Sequence, residues 1–306
     1  MITRRDAISK FASVSAGTLV ARSRTPLDWL ASSANASRQD GPTPTLAPGA
    51  PNSPERLALI DAFRTRSEGI DLKFEARAHR SDWEMPYRLF HPSSQSRGKL
   101  PLVMYLHGSG GLGNDNVKQM GLGNIFGTRV WALPENQSRF PCWVVAPQTD
   151  RGWMRYAPPQ EGDSVAKVVP GLGDGAKLAF EIIDVLRREL AIDERRIYVV
   201  GQSMGGGGVW HMTAQRPGFF AAAVSCCGSA SLEPASDSAR TPIWNFHGDA
   251  DDSVPVSVSR QRMAVLRKAG ASPISTEYAG VGHNVWQWAF TEPELPKWMF
   301  SKRAAT

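Results

Sequence analysis

Cysteine is scarce in this chain: three in 306 residues, at Cys142, Cys226 and Cys227. An odd count with two neighbours excludes a disulfide framework. The three read as small buried thiols, with a bridge from Cys142 to one of the pair as the lesser alternative. No cysteine–histidine spacing resembles a zinc site, so no metal is expected. Long apolar runs are also missing. No stretch of 18 or more apolar residues occurs, so neither a transmembrane helix nor stable membrane association is expected. Positive charge is in modest supply. The net charge is +6, and residues 1–36, with five basic against two acidic side chains, hold half of it. The remainder is too mild for a nucleic-acid surface, and no basic helix or aromatic-interleaved basic patch is present. Internal repeats are absent.

What is present begins with a targeting pattern. Arg4 and Arg5 stand near the start, Phe11 to Ala21 is weakly apolar, and Ala34-Asn35-Ala36 offers small residues at a cleavage point. Residues 1–36 thus resemble a bacterial twin-arginine export signal, and a periplasmic or secreted location is expected. Residues 37–56 carry Pro42, Pro44, Pro48, Pro51 and Pro54 and read as an extended linker. A short helix from Pro54 to Ser67 leads into a catalytic domain spanning residues 57–306.

In that domain, strand and helix patterns alternate. Phe74 to Phe90 reads as a hairpin. Leu100 to Leu106, Trp143 to Ala146 and Arg196 to Val200 are near-continuous apolar runs, as expected of strands covered on both faces. Phe219 to Ser225, Pro242 to Phe246 and Ile274 to Tyr278 follow as further strands. Helices are expected over Lys177 to Leu190, Ser259 to Ala269 and Trp286 to Phe300. Residues 149–172 read as one long connection, of a length usually tied to function.

The chain is organised around Arg196 to Gly208, where an apolar strand ends in Gly201-Gln202-Ser203-Met204-Gly205 and a helix follows. Strand, tight turn and helix with a serine at the apex is the setting of a nucleophile elbow. A serine hydroxyl is protonated at neutral pH and needs a base, and the base needs a carboxylate. His283, in Gly-Val-Gly-His, is the candidate base. Asp251 is the candidate acid, with Asp249 and Asp252 as competitors. His107 and His247 read as buried residues bonded to backbone, His211 as a helix-packing residue, and His79 and His91 as solvent-facing. The negative charge that develops on a substrate oxygen requires fixed N–H donors. Met204 supplies one, and Ser109 or Gly110, after the first buried strand, the other. A phosphate loop is unlike this stretch, because Gly110 to Asn116 lacks the lysine.

These residues resemble those of secreted bacterial serine esterases of the α/β-hydrolase superfamily, in the branch near dienelactone hydrolases and "predicted peptidases". Feruloyl esterases, acetyl xylan esterases and polyhydroxyalkanoate depolymerases are relatives. The likeness covers roughly residues 70–302. It rests on Leu106-His107-Gly108-Ser109-Gly110-Gly111 with Asp115-Asn116, on Ala146-Pro147-Gln148 with Trp153, and on Gly201 to Gly206. Cys227-Gly228, Trp244-x-Phe246-His247-Gly248 and Gly280-Val281-Gly282-His283-Asn284-x-Trp286 complete it. The resemblance implies an α/β-hydrolase fold: a mostly parallel eight-stranded sheet flanked by helices, with no metal and no organic cofactor. It supports Asp251, since Asp-x-x-Val-Pro is the spacing of the acid loop. It also implies substrate contacts from Gln148, Trp153, Gln202 and Trp286, with Trp153 and Tyr156 either stacking on substrate or packing on the core. Gly111 and Leu112 stand where relatives carry charge, which implies a less polar rim. The expected activity is hydrolysis of a small-molecule or polysaccharide-linked carboxylic ester. A serine peptidase is the alternative, and a catalytically silent binding protein the least expected reading.

Overall fold

The computed structural model describes residues 49–93, 98–157, 168–229 and 235–305. The export pattern and most of the proline-rich stretch lie outside them. The described chain opens on helix α1 (Pro54–Arg66), started by the Ser53 side chain, which accepts the Arg56 N–H, and by proline in the first turn. The hairpin β1 (Phe74–Arg80) and β2 (Glu84–Phe90) follows. Next come β3 (Leu100–Leu106), two short helices α2 (Ile125–Arg129) and α3 (Pro134–Arg139), and β4 (Trp143–Pro147).

Residues 149–172 are not one irregular connection. They contain a second, two-stranded antiparallel ribbon, β5 (Met154–Tyr156) with β6 (Val168–Leu172). Its register shifts within two pairs, too short for the alternation that betrays a strand in sequence. Helix α4 (Asp174–Glu189) and strand β7 (Ile192–Gln202) lead to α5 (Met204–Gln215), β8 (Ala222–Cys226) and β9 (Ile243–Gly248). Helix α6 (Val256–Lys268) and β10 (Ile274–Tyr278) follow. The closing helix expected over Trp286 to Phe300 is two helices, α7 (Trp286–Phe290) and α8 (Glu294–Phe300). The break falls at Pro293, which has no N–H to continue α7 and instead caps α8. Pro296 is tolerated because first-turn N–H groups have no intrahelical acceptor.

The eight-stranded sheet runs β1-β2-β4-β3-β7-β8-β9-β10, and β2 alone opposes the others. Successive side chains of a strand face opposite sides, so each central strand feeds two cores. Val103, Tyr105, Tyr198 and Val200 pack one face with Trp131, Trp244 and Phe290. Leu102, Met104, Leu106, Ile197 and Val199 pack the other with Trp153, Phe180 and Trp210. All three cysteines are buried and free. Among the described residues, no helix is long and apolar enough to cross a membrane. The fold brings the carboxyl ends of β3, β7, β8, β9 and β10 to one edge, where parallel α/β sheets build sites.

Candidate active site

Ser203 stands between β7 and α5 with φ 52 and ψ −119. Positive φ is uncommon for a residue with a Cβ. The turn survives because its surroundings fix it: Ser203 N–H donates to Cys226 O at 2.8 Å, and Gly207 N–H donates to Ser203 O at 3.0 Å. The glycine at 205 is compelled by contact, since a Cβ there would meet Leu106 O at 1.9 Å. The helix therefore lies directly on the end of β3.

From Ser203 a line of hydrogen bonds crosses two loops. Ser203 Oγ is 2.8 Å from His283 Nε2. His283 Nδ1 is 2.8 Å from Asp251 Oδ2. The other carboxylate oxygen accepts the N–H groups of Ser253 at 2.9 Å and Val254 at 2.8 Å. The Asp251 side chain is fully buried. Burial alone raises its pKa, but hydrogen bonds from His247, His283 and the Val254 N–H outweigh it and hold the carboxyl well below the usual range. The competing acids are elsewhere. Asp249 is exposed and accepts Gly280 N–H, and Asp252 is exposed.

His247 is a participant that sequence reasoning missed. Its Nε2 lies 2.8 Å from Val254 O and 3.3 Å from Asp251 Oδ2, and its Nδ1 is 2.7 Å from Ser259 Oγ. With the proton on Nε2, the ring donates to Val254 O and Asp251 and accepts the Ser259 hydroxyl. It bonds to backbone, as expected, and also backs the acid. His107 Nδ1 donates to Gly108 O at 2.8 Å and its Nε2 accepts Thr149 N–H at 3.1 Å. Burial lowers its pKa to about 4. His211 accepts Gly173 N–H at 3.2 Å, and burial followed by the Arg262 charge lowers its pKa to about 4. Both rings are neutral packing groups.

Met204 begins α5, and Ser109 and Gly110 begin a single 3₁₀ turn, Ser109–Gly111. The first N–H groups of such turns have no acceptor within the helix. The two turns approach each other closely, for a Cβ built on Gly108 would lie 3.5 Å from Ser203 Cβ. The loop after β3 is held by the side chains of Asn124, which carries no sequence signal, and of Asn116, whose motif does not show what it binds. Asn124 Oδ1 accepts Gly108 N–H at 3.1 Å and the Tyr105 hydroxyl at 2.8 Å, while its Nδ2 donates to Lys118 O at 3.2 Å. Asn116 Nδ2 donates to Arg77 O and to Tyr87 O, both at 3.2 Å.

The four expected substrate contacts divide. Gln148 is fully buried and ties the same loop, accepting Asn116 N–H at 2.5 Å and donating to Gly111 O at 3.1 Å and Asp115 at 3.0 Å. Its place is that of a brace. Trp153 is also fully buried, donates to His107 O at 2.9 Å and packs edge-on against the His107 ring. Its indole belongs to the core, because its N–H finds a backbone acceptor there. The side chain of Tyr156 is outside those described. Gln202 is 3% exposed, beside Gly108. Trp286 alone is partly open. It meets the His283 ring edge-on at 5.5 Å between centroids, with Gly123 against its indole.

Cys227 also reaches this corner. Its φ is 43, its N–H donates to Phe246 O at 2.8 Å, and its Sγ lies 3.2 Å from His283 O. The thiol therefore steadies the backbone of the histidine loop.

Comparison with known proteins agrees with this architecture. A family model described as phospholipase/carboxylesterase matches residues 171–292. A protein named as an esterase, NocK of Nocardia uniformis subsp. tsuyamanensis, is 27% identical over 229 residues, covering 70% of this chain and 58% of NocK. The bifunctional acetylxylan esterase/xylanase XynS20E of Neocallimastix patriciarum is 35% identical over 72 residues, 24% of this chain and 11% of that protein. The crystal structure of a thermostable esterase superposes with a TM-score of 0.69 at 33% identity, covering 76% of this chain and 64% of that one. The chain thus spans less than two thirds of each of these relatives.

Proposed function

We propose that this chain, which belongs to the α/β-hydrolase superfamily, hydrolyses carboxylic esters through an acyl-enzyme on Ser203. The observation that carries the reading is the unbroken line from Ser203 Oγ through His283 to the buried Asp251 carboxylate. Names of relatives support the ester as the bond cleaved.

In this mechanism Ser203 Oγ attacks the ester carbonyl as His283 Nε2 takes its proton. The C–O bond to the alcohol then breaks, and the alcohol leaves with that proton. Water repeats the sequence: it gives a proton to His283, attacks the acyl carbon and releases the acid and Ser203. Asp251 keeps the His283 proton on Nδ1, so Nε2 is free to accept, and it stabilises the charged ring. The N–H of Met204 and that of Ser109 or Gly110 receive the oxyanion. Removal of one such donor costs about 2.7–4 kcal/mol in a well-studied hydrolase. No organic cofactor enters these steps.

The N-terminal 36 residues are read as a twin-arginine export signal, placing the enzyme outside the cytoplasm. The substrates are esters of small molecules or those decorating plant polysaccharide. The XynS20E likeness supports the second class. Ser203→Ala is expected to lower turnover of p-nitrophenyl acetate by roughly a thousandfold or more. Undiminished hydrolysis by that variant overturns the assignment. A panel of acetyl, feruloyl, glucuronoyl and short aliphatic esters, compared by kcat/KM, identifies the acyl group.

A further inference from the structure

We propose that the acid–base end of this site is also an inhibitory seat for a thiophilic divalent cation of the zinc–cadmium class, held by Cys227, Asp251 and His283. Its effect on turnover rests on the catalytic reading above; the binding does not. Among the described residues these three form one converging trio, in which Cys227 Sγ, an Asp251 carboxylate oxygen and a His283 ring nitrogen all lie within 4.8 Å of one another. Thiolate, imidazole and carboxylate are the ligand set that zinc and cadmium favour.

The geometry is close to what such an ion requires. Zinc binds sulfur at about 2.3 Å and nitrogen or oxygen at about 2.0–2.2 Å, which sets ligand atoms roughly 3.3–3.5 Å apart in a tetrahedron. The pair His283 Nδ1 and Asp251 Oδ2, now at 2.8 Å, opens slightly, and Cys227 Sγ, within 4.8 Å of both, closes by up to roughly 1.5 Å. The backbone of Cys227 is already pinned to Phe246 O on the side of the histidine loop. The entrance is the His283 ring, 23% exposed at its side chain, while Asp251 is closed from solvent.

Binding is a proton exchange with no change of oxidation state. The Cys227 S–H bond breaks and its proton leaves to solvent as the metal–sulfur bond forms. The His283 Nδ1–H bond breaks as the metal–nitrogen bond forms, and that proton passes to Nε2. Asp251 exchanges its hydrogen bond from Nδ1 for the metal. The nitrogen that faces Ser203 then carries a proton and has no lone pair, so it cannot accept the serine proton. One ion would therefore silence the triad without touching Ser203.

The test uses the full chain, freed of metal by a chelator and then titrated with cadmium chloride or zinc chloride. The expected result is one cadmium per chain, with an ultraviolet thiolate-to-cadmium charge-transfer band. That band is lost in Cys227→Ala, Cys227→Ser and His283→Ala, and kept in Cys142→Ala and Cys226→Ala. Zinc is expected to inhibit wild-type ester hydrolysis reversibly, with the chelator restoring it. Cys227→Ala, normalised to its own zinc-free rate, needs at least ~10-fold more zinc. The serine variant keeps the volume of the site, so the band remains interpretable if the alanine variant fails to fold. No band in wild type, a band that survives loss of Cys227, or equal zinc sensitivity in both overturns the proposal. If metal-free wild type hydrolyses no ester, the catalytic reading fails while the cadmium band still decides the site.

Discussion

Two segments face each other across Ser203 and are held by opposite means. The elbow, residues 201–208, is fixed by lack of side chains. Its backbone lies so close to β3 that a Cβ on Gly205 would meet Leu106 O at 1.9 Å. The opposing loop, residues 108–124, is fixed by side chains. Asn124 and Gln148 pin Gly108, Gly111, Asp115 and Asn116, and Asn116 is tied in turn to Arg77 and Tyr87. Close contact between backbones leaves nothing that can rotate away. A hydrogen-bonded loop can lose one partner and keep its fold while its N–H groups drift. The elbow should therefore fail as a fold, and the loop as a catalyst.

That contrast orders the expected effects. The largest is at the elbow: Gly205→Ala is expected to yield no folded protein or a Tm lower by roughly 10 °C or more. Thermal denaturation decides it, and a near-native Tm breaks the contrast. Next is Asn124→Ala, which leaves Gly108 N–H and the Tyr105 hydroxyl without their acceptor. Stability should fall by about 1–3 kcal/mol. kcat should fall ~10–100-fold with little change in KM, because the loss lies in donor placement. Tyr105→Phe, which removes one of the two donors, should cost about 1 kcal/mol and spare kcat. Equal kcat in Asn124→Ala and wild type would show that the loop is positioned by something else.

A smaller effect is in pH. His107, at the root of the loop, and His211 are both buried, with pKa lowered from 6.5 to about 4. Below pH 6.5 the unfolded chain binds protons that the folded chain refuses, so stability is full above that value and falls as pH drops toward 4. Tm should decline over this window, and His107→Asn should flatten the slope. An unchanged slope would remove His107 from the account. The smallest effect is at Gly110, where an added Cβ meets nothing within 4 Å. Gly110→Ala should stay within about 0.5 kcal/mol of wild type, the opposite extreme from Gly205.

The same contrast explains what could be read in the sequence. The elbow is legible because a strand, a Gly-x-Ser-x-Gly turn and a helix are consecutive. His283 stands out by its loop placement after the last strand and by chain order, and Asp251 by the Asp-x-x-Val-Pro spacing of the resembled acid loop; the fold brings both side chains into line with Ser203. The alternation of strands and helices follows from apolar runs separated by helical periods, and the mostly parallel eight-stranded sheet from the family resemblance. The loop's restraints were not legible, since each joins residues far apart in the chain: Asn124 reaches back 16 positions to Gly108, and Gln148 reaches back 37 to Gly111. An asparagine or glutamine in a loop has no pattern that announces a distant backbone partner. Trp153 shows the same limit from the other side. In sequence an aromatic residue in a long connection looks available to substrate, yet its indole N–H is satisfied by His107 O inside the core. In sequence His247 reads as a buried residue bonded to backbone, which it is; its contact with Asp251 emerges only when β9 and the following loop are folded together.

The account stands or falls on Ser203. The full chain, treated with a fluorophosphonate probe and digested, should give a single modified peptide, with the adduct on Ser203. His283→Ala should react far more slowly although folded. An adduct on another residue, or none on folded protein that still hydrolyses esters, would contradict it.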